Sequence, residues 1–466
     1  MNRIFLLTFA VFVGGLTATS RSGEEAKPVA LTSAESFHIS TFSIDVTIPL
    51  NHRCMGVLPT KSKRILDPLY AHGFVVTGGK YPFVVCSIDW CEIRNGAYDQ
   101  WRKALADAAN TSPEYILLSA IHQHDAPIAD RDAEKILTEV GLSGELYDVT
   151  FHDDVVRRAA QALRDSLTAK RRLTHIGVGQ AKATQLASSR RVIDINGQVT
   201  YHRGSNSGGN PHFTEQPEGL IDPYLKVLSF WAGDEAVVAL NTYAIHPMSY
   251  YGRGEVSADF VGMARDRRQR DDFKTLQIYA SGCSGDVTAG KYNDGTPEMR
   301  KPLADRLYAA MVDAWQTTKK FPLQRINVRS TPLQLDFHPK PKLTVRQLEA
   351  DVRNEEISTE KRILAAMGLA SRQRVRRGKP IDLACVDFGP AQIVLFPAEA
   401  FVGYQIMAQQ MRPSDFVVCL GYGECWPGYI PTKAAFADSF DNTWLWVGPG
   451  SEKKIRDALT RVLLPQ

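Results

Sequence analysis

This chain lacks the signatures that most directly declare a function. It has no H-E-x-x-H, no phosphate-binding glycine loop, no dinucleotide fingerprint and no C-x-x-C pair, so the common nucleotide folds and a cysteine-type structural zinc site have no support. Charge of one sign is scarce: the net charge is only +4 over 466 residues, and the basic residues are scattered apart from Arg372, Arg374, Arg376, Arg377 and Lys379. A nucleic-acid partner is not expected. The seven cysteines are an odd set, mostly in apolar runs such as Phe83-Val84-Val85-Cys86 and Phe416-Val417-Val418-Cys419. There cysteine acts as a small hydrophobe, leaving room for one or two disulfides but no framework. No internal repeat is present.

Long apolar runs are confined to the N-terminus. Arg3, the stretch from Ile4 to Leu16 and the small residues Thr17 to Ser20 have the layout of a secretory signal peptide, residues 1–20. A retained anchoring helix is the alternative, but the stretch falls short of the roughly 20 residues a membrane span needs. The protein is therefore expected to be secreted or periplasmic, where disulfides are permitted.

With 44% apolar and 23% charged residues, the remainder reads as an ordinary globular chain with ample core. Strand-like and helical patterns alternate: strands at Pro82 to Asp89 and Tyr115 to Ala120, helices at Tyr98 to Ala109 and Asp153 to Ala169. Further strands are expected at Leu225 to Trp231, Ala236 to Ala244 and Leu276 to Ala280, then a helix from Pro302 to Thr317. Arg325 to Phe337, Ile381 to Phe388 and Ala391 to Phe396 read as strands, with Gly389-Pro390 as a hairpin turn. The segment Leu343 to Arg377 is rich in charge and thin in apolar positions, which predicts a peripheral helical pair. The Gly/Asn/Pro/Ser loop Gly204 to Gly219 is a candidate border of an active site. The fold class is α/β, a mixed sheet core with flanking helices in one large domain over 30–466.

Two short motifs follow apolar strands: Ile121-His122-Gln123-His124-Asp125-Ala126-Pro127 and Tyr243-Ala244-Ile245-His246-Pro247. The ends of parallel strands are where α/β proteins build their sites. Residues two apart on a strand share a face, so His122 and His124 are expected to reach one pocket. A hydrolytic zinc site needs three or four nitrogen and oxygen ligands and a place for water. An isolated His-x-His is weak evidence, with ordinary structural histidines as its alternative.

These motifs do not stand alone. Together with Ser257-Ala258-Asp259-Phe260-Val261-Gly262, Gly282-Cys283-Ser284-Gly285-Asp286-Val287, Phe396-Pro397-Ala398-Glu399 and Gly421-Tyr422-Gly423 followed by Trp426-Pro427-Gly428-Tyr429-Ile430-Pro431-Thr432, the chain resembles the neutral/alkaline non-lysosomal ceramidase superfamily, block for block in order. The resemblance implies one catalytic zinc held by His122, His246, Glu399 and Tyr429, and hydrolysis of an N-acyl amide by metal-activated water. It implies His124 as a polar partner of the water or the oxyanion, and a substrate-gripping arginine at Arg190, with Arg191 nearly as good a match. Glu399 as a surface residue and Tyr429 as packing under Trp426 are the plain alternatives. Asp286 either orients a ligand or shapes its turn. The expected partner is a small-molecule or lipid substrate, in solution or at a membrane surface, with no obligate protein partner.

The sequence also departs from the family. Gly282 falls where the family carries a serine important for amide cleavage, with Ser281 and Ser284 to either side, and Phe440 meets a family tyrosine. Only 37 residues follow Tyr429, where ceramidases continue into an immunoglobulin-like domain. These differences leave open a zinc hydrolase for another amide or ester, or a non-catalytic ceramidase-like binding protein. Gly282-Cys283-Ser284-Gly285 resembles part of a nucleophile elbow, but Asp286 replaces the last glycine, and a cysteine nucleophile at Cys283 is the remaining covalent option.

Overall fold

Three mixed sheets, where the sequence suggested one, carry the core of the computed structural model, which describes residues 36–464. The expected signal peptide lies outside the described residues. Each sheet follows one plan: antiparallel neighbours, then one parallel pair. In the first, Ile116–Ala120 runs parallel to Phe83–Ile88, which pairs antiparallel with Tyr70–Thr77 and through it with His38–Asp45. In the second, Leu276–Ser281 runs parallel to Glu235–Tyr243, with Tyr224–Ala232 and His175–Lys182 antiparallel beyond. In the third, Phe416–Leu420 runs parallel to Ala391–Leu395, next to Ile381–Asp387 and Asn327–Leu333. A parallel neighbour requires a crossover, and helices supply it: Asn95–Ala109 in the first sheet, Asp259–Asp271 in the second, Val402–Met411 in the third.

The sheets meet face to face on an aromatic knot. Phe74 of the first sheet stands 4.7 Å from Phe230 of the second, and Phe388 at the edge of the third lies 5.6 Å from Phe230 and 6.1 Å from Phe83. Around them Val85, Leu117, Leu228, Leu240, Ile278, Ile393 and Leu420 are fully or nearly fully buried. The strands that supply these residues are buried on both faces and so read as continuous apolar runs.

Hydrogen bonds stitch the parallel strands together at their C-terminal ends. Ala120 N–H donates to Tyr422 O at 3.0 Å, Ser281 Oγ to Ile121 O at 2.7 Å, and Gly421 N–H to Ser281 O at 2.8 Å. The three sheets therefore open their C-terminal ends onto one point. None of the helices among the described residues is long and apolar enough to cross a membrane.

Two expectations are corrected. The helix expected from Asp153 starts at Val149, because Asp148 caps it by accepting from Thr150 and Phe151 N–H, and runs to Ser166. The helical pair, Val345–Arg353 and Thr359–Arg376, is not peripheral: Ile363, Ala366, Met367, Leu369, Ala370 and Ser371 are buried in the main core. Its contact face is made of small residues. A Cβ at Gly368 would sit 3.3 Å from Leu348 and 3.4 Å from the Trp446 indole, so close approach replaces apolar bulk.

All seven cysteines are buried and unpaired, so the expected room for disulfides is not used.

Candidate metal and catalytic site

Four of the residues at the site lie two to four positions past the end of a core strand. His122 follows Ile116–Ala120, His246 follows Glu235–Tyr243, Glu399 follows Ala391–Leu395, and Tyr422 follows Phe416–Leu420. His122 is no longer on its strand, as the period-two argument assumed. Its φ of +67° turns the chain, and it is this turn that brings His122 and His124 to one pocket, ring centroids 5.1 Å apart. Ala398 (φ +47°) and Tyr422 (φ +56°) occupy the same left-handed region, which is costly for such side chains. Strain held at three neighbouring corners is the pattern of a functional site.

The donors converge. His246 Nε2 lies 3.1 Å and His122 Nε2 3.4 Å from Glu399 Oε2. Ligands about 2.0–2.1 Å from one tetrahedral zinc stand roughly 3.3 Å apart, so these separations suit a shared ion. The opposite ring nitrogens are held by backbone carbonyls: His122 Nδ1 by Cys91 O at 3.1 Å and His246 Nδ1 by Ser284 O at 2.6 Å. Those bonds fix the tautomer that leaves Nε2 free to ligate, as outer-shell partners do in zinc sites. Tyr429 pairs directly opposite Glu399 in a short parallel bridge, with its ring 6.4 Å from that of His246. All four implied ligands are thus brought together, and the first three form a group able to hold a metal ion. The residues present fit a divalent cation.

Electrostatics agree. Burial opposes ionisation of Glu399, but His122 and His246 overcome it and hold the carboxyl well below its usual range. Burial pulls His246 down to about 4 and His124 lower than its ordinary value, so both are neutral imidazoles. His122 is raised, because Glu399 and Glu92 outweigh its burial.

His124 packs edge-on to Tyr251 at 4.9 Å and is 6% exposed, and neither of its ring nitrogens has a partner in the protein. The two arginines separate cleanly. Arg190 lies over the Tyr429 ring at 6.0 Å with its Nε unpartnered, whereas Arg191 turns outward and is tied to Asp438 at 2.7 Å. Asp286 accepts from Val402 N–H at 2.8 Å at the start of Val402–Met411. It shapes its turn and touches no ligand. Burial raises the Cys283 thiol well above its usual range, which disarms it as a nucleophile.

The departures acquire physical form. A Cβ at Gly282 would fall 2.5 Å from Gln405 Oε1, which accepts from Cys283 N–H at 3.0 Å while Gln405 Nε2 donates to Asp222 at 2.7 Å. The place of a side chain at 282 is therefore taken by a tethered carboxamide. Phe440 packs on Tyr429 at 5.6 Å.

Several neighbours were given no role by the sequence reading. Tyr422 stacks on His122 at 4.3 Å and bonds Ser284 Oγ at 2.8 Å. Glu92, fully buried, has Arg94 on Oε2 at 2.8 Å and nothing on Oε1, and burial raises it to about 7 against the pull of Arg94. The one available signal was a Glu-x-Arg set among apolar residues at a strand end. Met55, Cys91, Glu92, His122, His124, Glu399, Tyr429 and Trp444 enclose a cavity of about 30 Å³. That is too small for an acyl chain. The Gly204 to Gly219 loop borders the site at two points: Glu218 O accepts from Ser189 N–H at 2.7 Å, next to Arg190, and Ser205 O accepts from the Asn293 amide, which also donates to Met248 O and Ser249 O.

The sequence matches no family model and no curated protein. Among solved structures, the chain resembles neutral ceramidase from Pseudomonas aeruginosa, with a TM-score of 0.66 at 14% identity over 92% of this chain and 74% of that one. A ceramidase complexed with C2 is similar at a TM-score of 0.65, also 14% identical, over 92% of this chain and 75% of the other. The chain therefore has the neutral ceramidase fold, in a single mixed α/β domain.

Proposed function

We propose that this protein is a metal-dependent hydrolase of an N-acyl amide that works outside the cytoplasm. The observation carrying this reading is the convergence of His122 Nε2, His246 Nε2 and Glu399 Oε2, with each imidazole anchored from behind by a carbonyl. These residues and the Tyr429 hydroxyl would hold the ion, and nitrogen and oxygen donors in that number favour zinc. Bound there, zinc would acidify a water and polarise the substrate carbonyl.

The chain's own residues supply the remaining steps. His124, neutral and without a protein partner, accepts the proton of the attacking water and returns it to the departing nitrogen. Arg190 grips the polar end of the substrate by charge-assisted hydrogen bonds through its free Nε face. The carbonyls of Cys91 and Ser284 keep both histidines aimed throughout. The cavity at the donors is small, so the body of the substrate lies beyond it, on the side of Arg190 and the exposed Tyr251.

One observation favours a second reading, an amide or ester other than that of ceramide. Gln405 fills the position where the family resemblance implies a serine side chain. The deciding experiment is elemental mass spectrometry of the purified protein beside His246→Ala, paired with hydrolysis of N-acylated lipids, N-acylated sugars and simple esters. About one zinc per chain, lost together with activity in the variant, supports the reading. A protein that neither carries nor takes up metal overturns it.

A further inference from the structure

His122 stands between two sets of donors. Its Nε2 faces Glu399, while its Nδ1 faces the other way, 3.9 Å from Cys91 Sγ and 3.9 Å from Glu92 Oε1. Ligand atoms of Cys91, His122 and His124 all lie within 4.8 Å of one another. Cys91 is 1% exposed and Glu92 0%, and both line the cavity with His124. Two independent observations point to a ligand here. Both ring nitrogens of His124 lack a protein partner, and so does Glu92 Oε1, although the other Glu92 oxygen is locked by Arg94. Buried polar atoms are almost always paired, and three orphans around one small cavity call for an occupant.

We propose a second cation position, formed by Cys91 Sγ and His124 in the cavity that Glu92 also lines, that takes thiophilic divalent ions such as cadmium or zinc in excess. Sulfur and imidazole select soft or borderline ions over magnesium and calcium. On binding, the Cys91 S–H bond breaks, the proton leaves to solvent, and the sulfur electron pair forms the bond to the ion. The resulting thiolate offsets one of the ion's two positive charges, since the Glu92 carboxylate is already paired with Arg94. Filling this position engages His124, so it should inhibit turnover. That consequence rests on the role given to His124 above, whereas the binding itself does not.

The test is a cadmium titration of the metal-stripped full-length protein, followed by equilibrium dialysis and by thiolate-to-cadmium charge-transfer absorption. Wild type should bind two equivalents, one of them with the thiolate band. His246→Ala should keep the band with one equivalent fewer. Cys91→Ser and Cys91→Ala should each lose the band and one equivalent. His124→Ala, which leaves the thiol in place, should weaken the band-forming step at least tenfold. The proposal is overturned if wild type saturates without a thiolate band, or if the band survives undiminished in both Cys91 variants. One equivalent without the band sinks this proposal and leaves the hydrolase reading standing. One equivalent with the band, unchanged in His246→Ala, does the reverse.

Discussion

His246 and His152 are both fully buried, and burial lowers both imidazoles to about 4, yet they belong to different kinds of place. His246 has a carbonyl on one nitrogen and a carboxylate on the other. His152, on the Val149–Ser166 helix, is wrapped by Trp90, Trp101 and Tyr147, with no hydrogen bond to either nitrogen and Asp153 Oδ1 3.5 Å off. Burial and lost basicity therefore do not mark a functional histidine. What marks His246 as a candidate ligand is one nitrogen held by backbone with the other facing a carboxylate; His124, unpartnered like His152, differs from it in lining the cavity at those donors.

The largest expected effect on this comparison comes from His246→Ala. It should remove the metal and lower activity by more than the roughly 10–100-fold that outer-shell changes cost, as measured by metal content and turnover together. Next comes His124→Ala, expected to slow turnover by about 10²-fold while the first ion stays bound; loss of that ion would show that His124 is itself a ligand.

His152 sharpens the contrast from the other side. Its proton affinity is depressed in the folded protein, so the unfolded chain binds more protons between pH 6.5 and about 4, and stability falls as pH drops through that window. The full loss is about 3 kcal/mol. His152→Leu should flatten this part of the pH dependence in urea unfolding with the proposed metal-dependent activity retained. An unchanged slope would mean that folding does not shift the proton affinity of His152. The smallest effect is that of Gly282→Ser, expected to cost about 1–3 kcal/mol by overpacking against Gln405. Gln405→Ala in the same chain should recover part of it in a double-mutant cycle.

Much of this organisation was legible in the sequence. The central strands were found within a residue or two because they are buried on both faces and so spell unbroken apolar runs. The four residues proposed as ligands were singled out because short motifs follow one another in the order of the family they resemble. The Thr359–Arg376 helix was misjudged because its packing face is made of Ala, Gly and Ser, which an apolar count ignores. Tyr422, Cys91 and Glu92 were passed over because nothing local distinguishes a ring or carboxylate that stacks on a ligand from one that packs in a core.

Sequence alone determined the fold class, the strand order along the chain and the residue types able to hold a cation, since these follow from hydrophobic periodicity and donor chemistry. Only the tertiary structure decided that three sheets, not one, direct their strand ends at a single point. It also decided that Arg190 rather than Arg191 turns inward, and that Gln405 occupies the space beside Gly282. Those outcomes depend on contacts between residues more than a hundred positions apart, set by how the aromatic knot locks the sheets together.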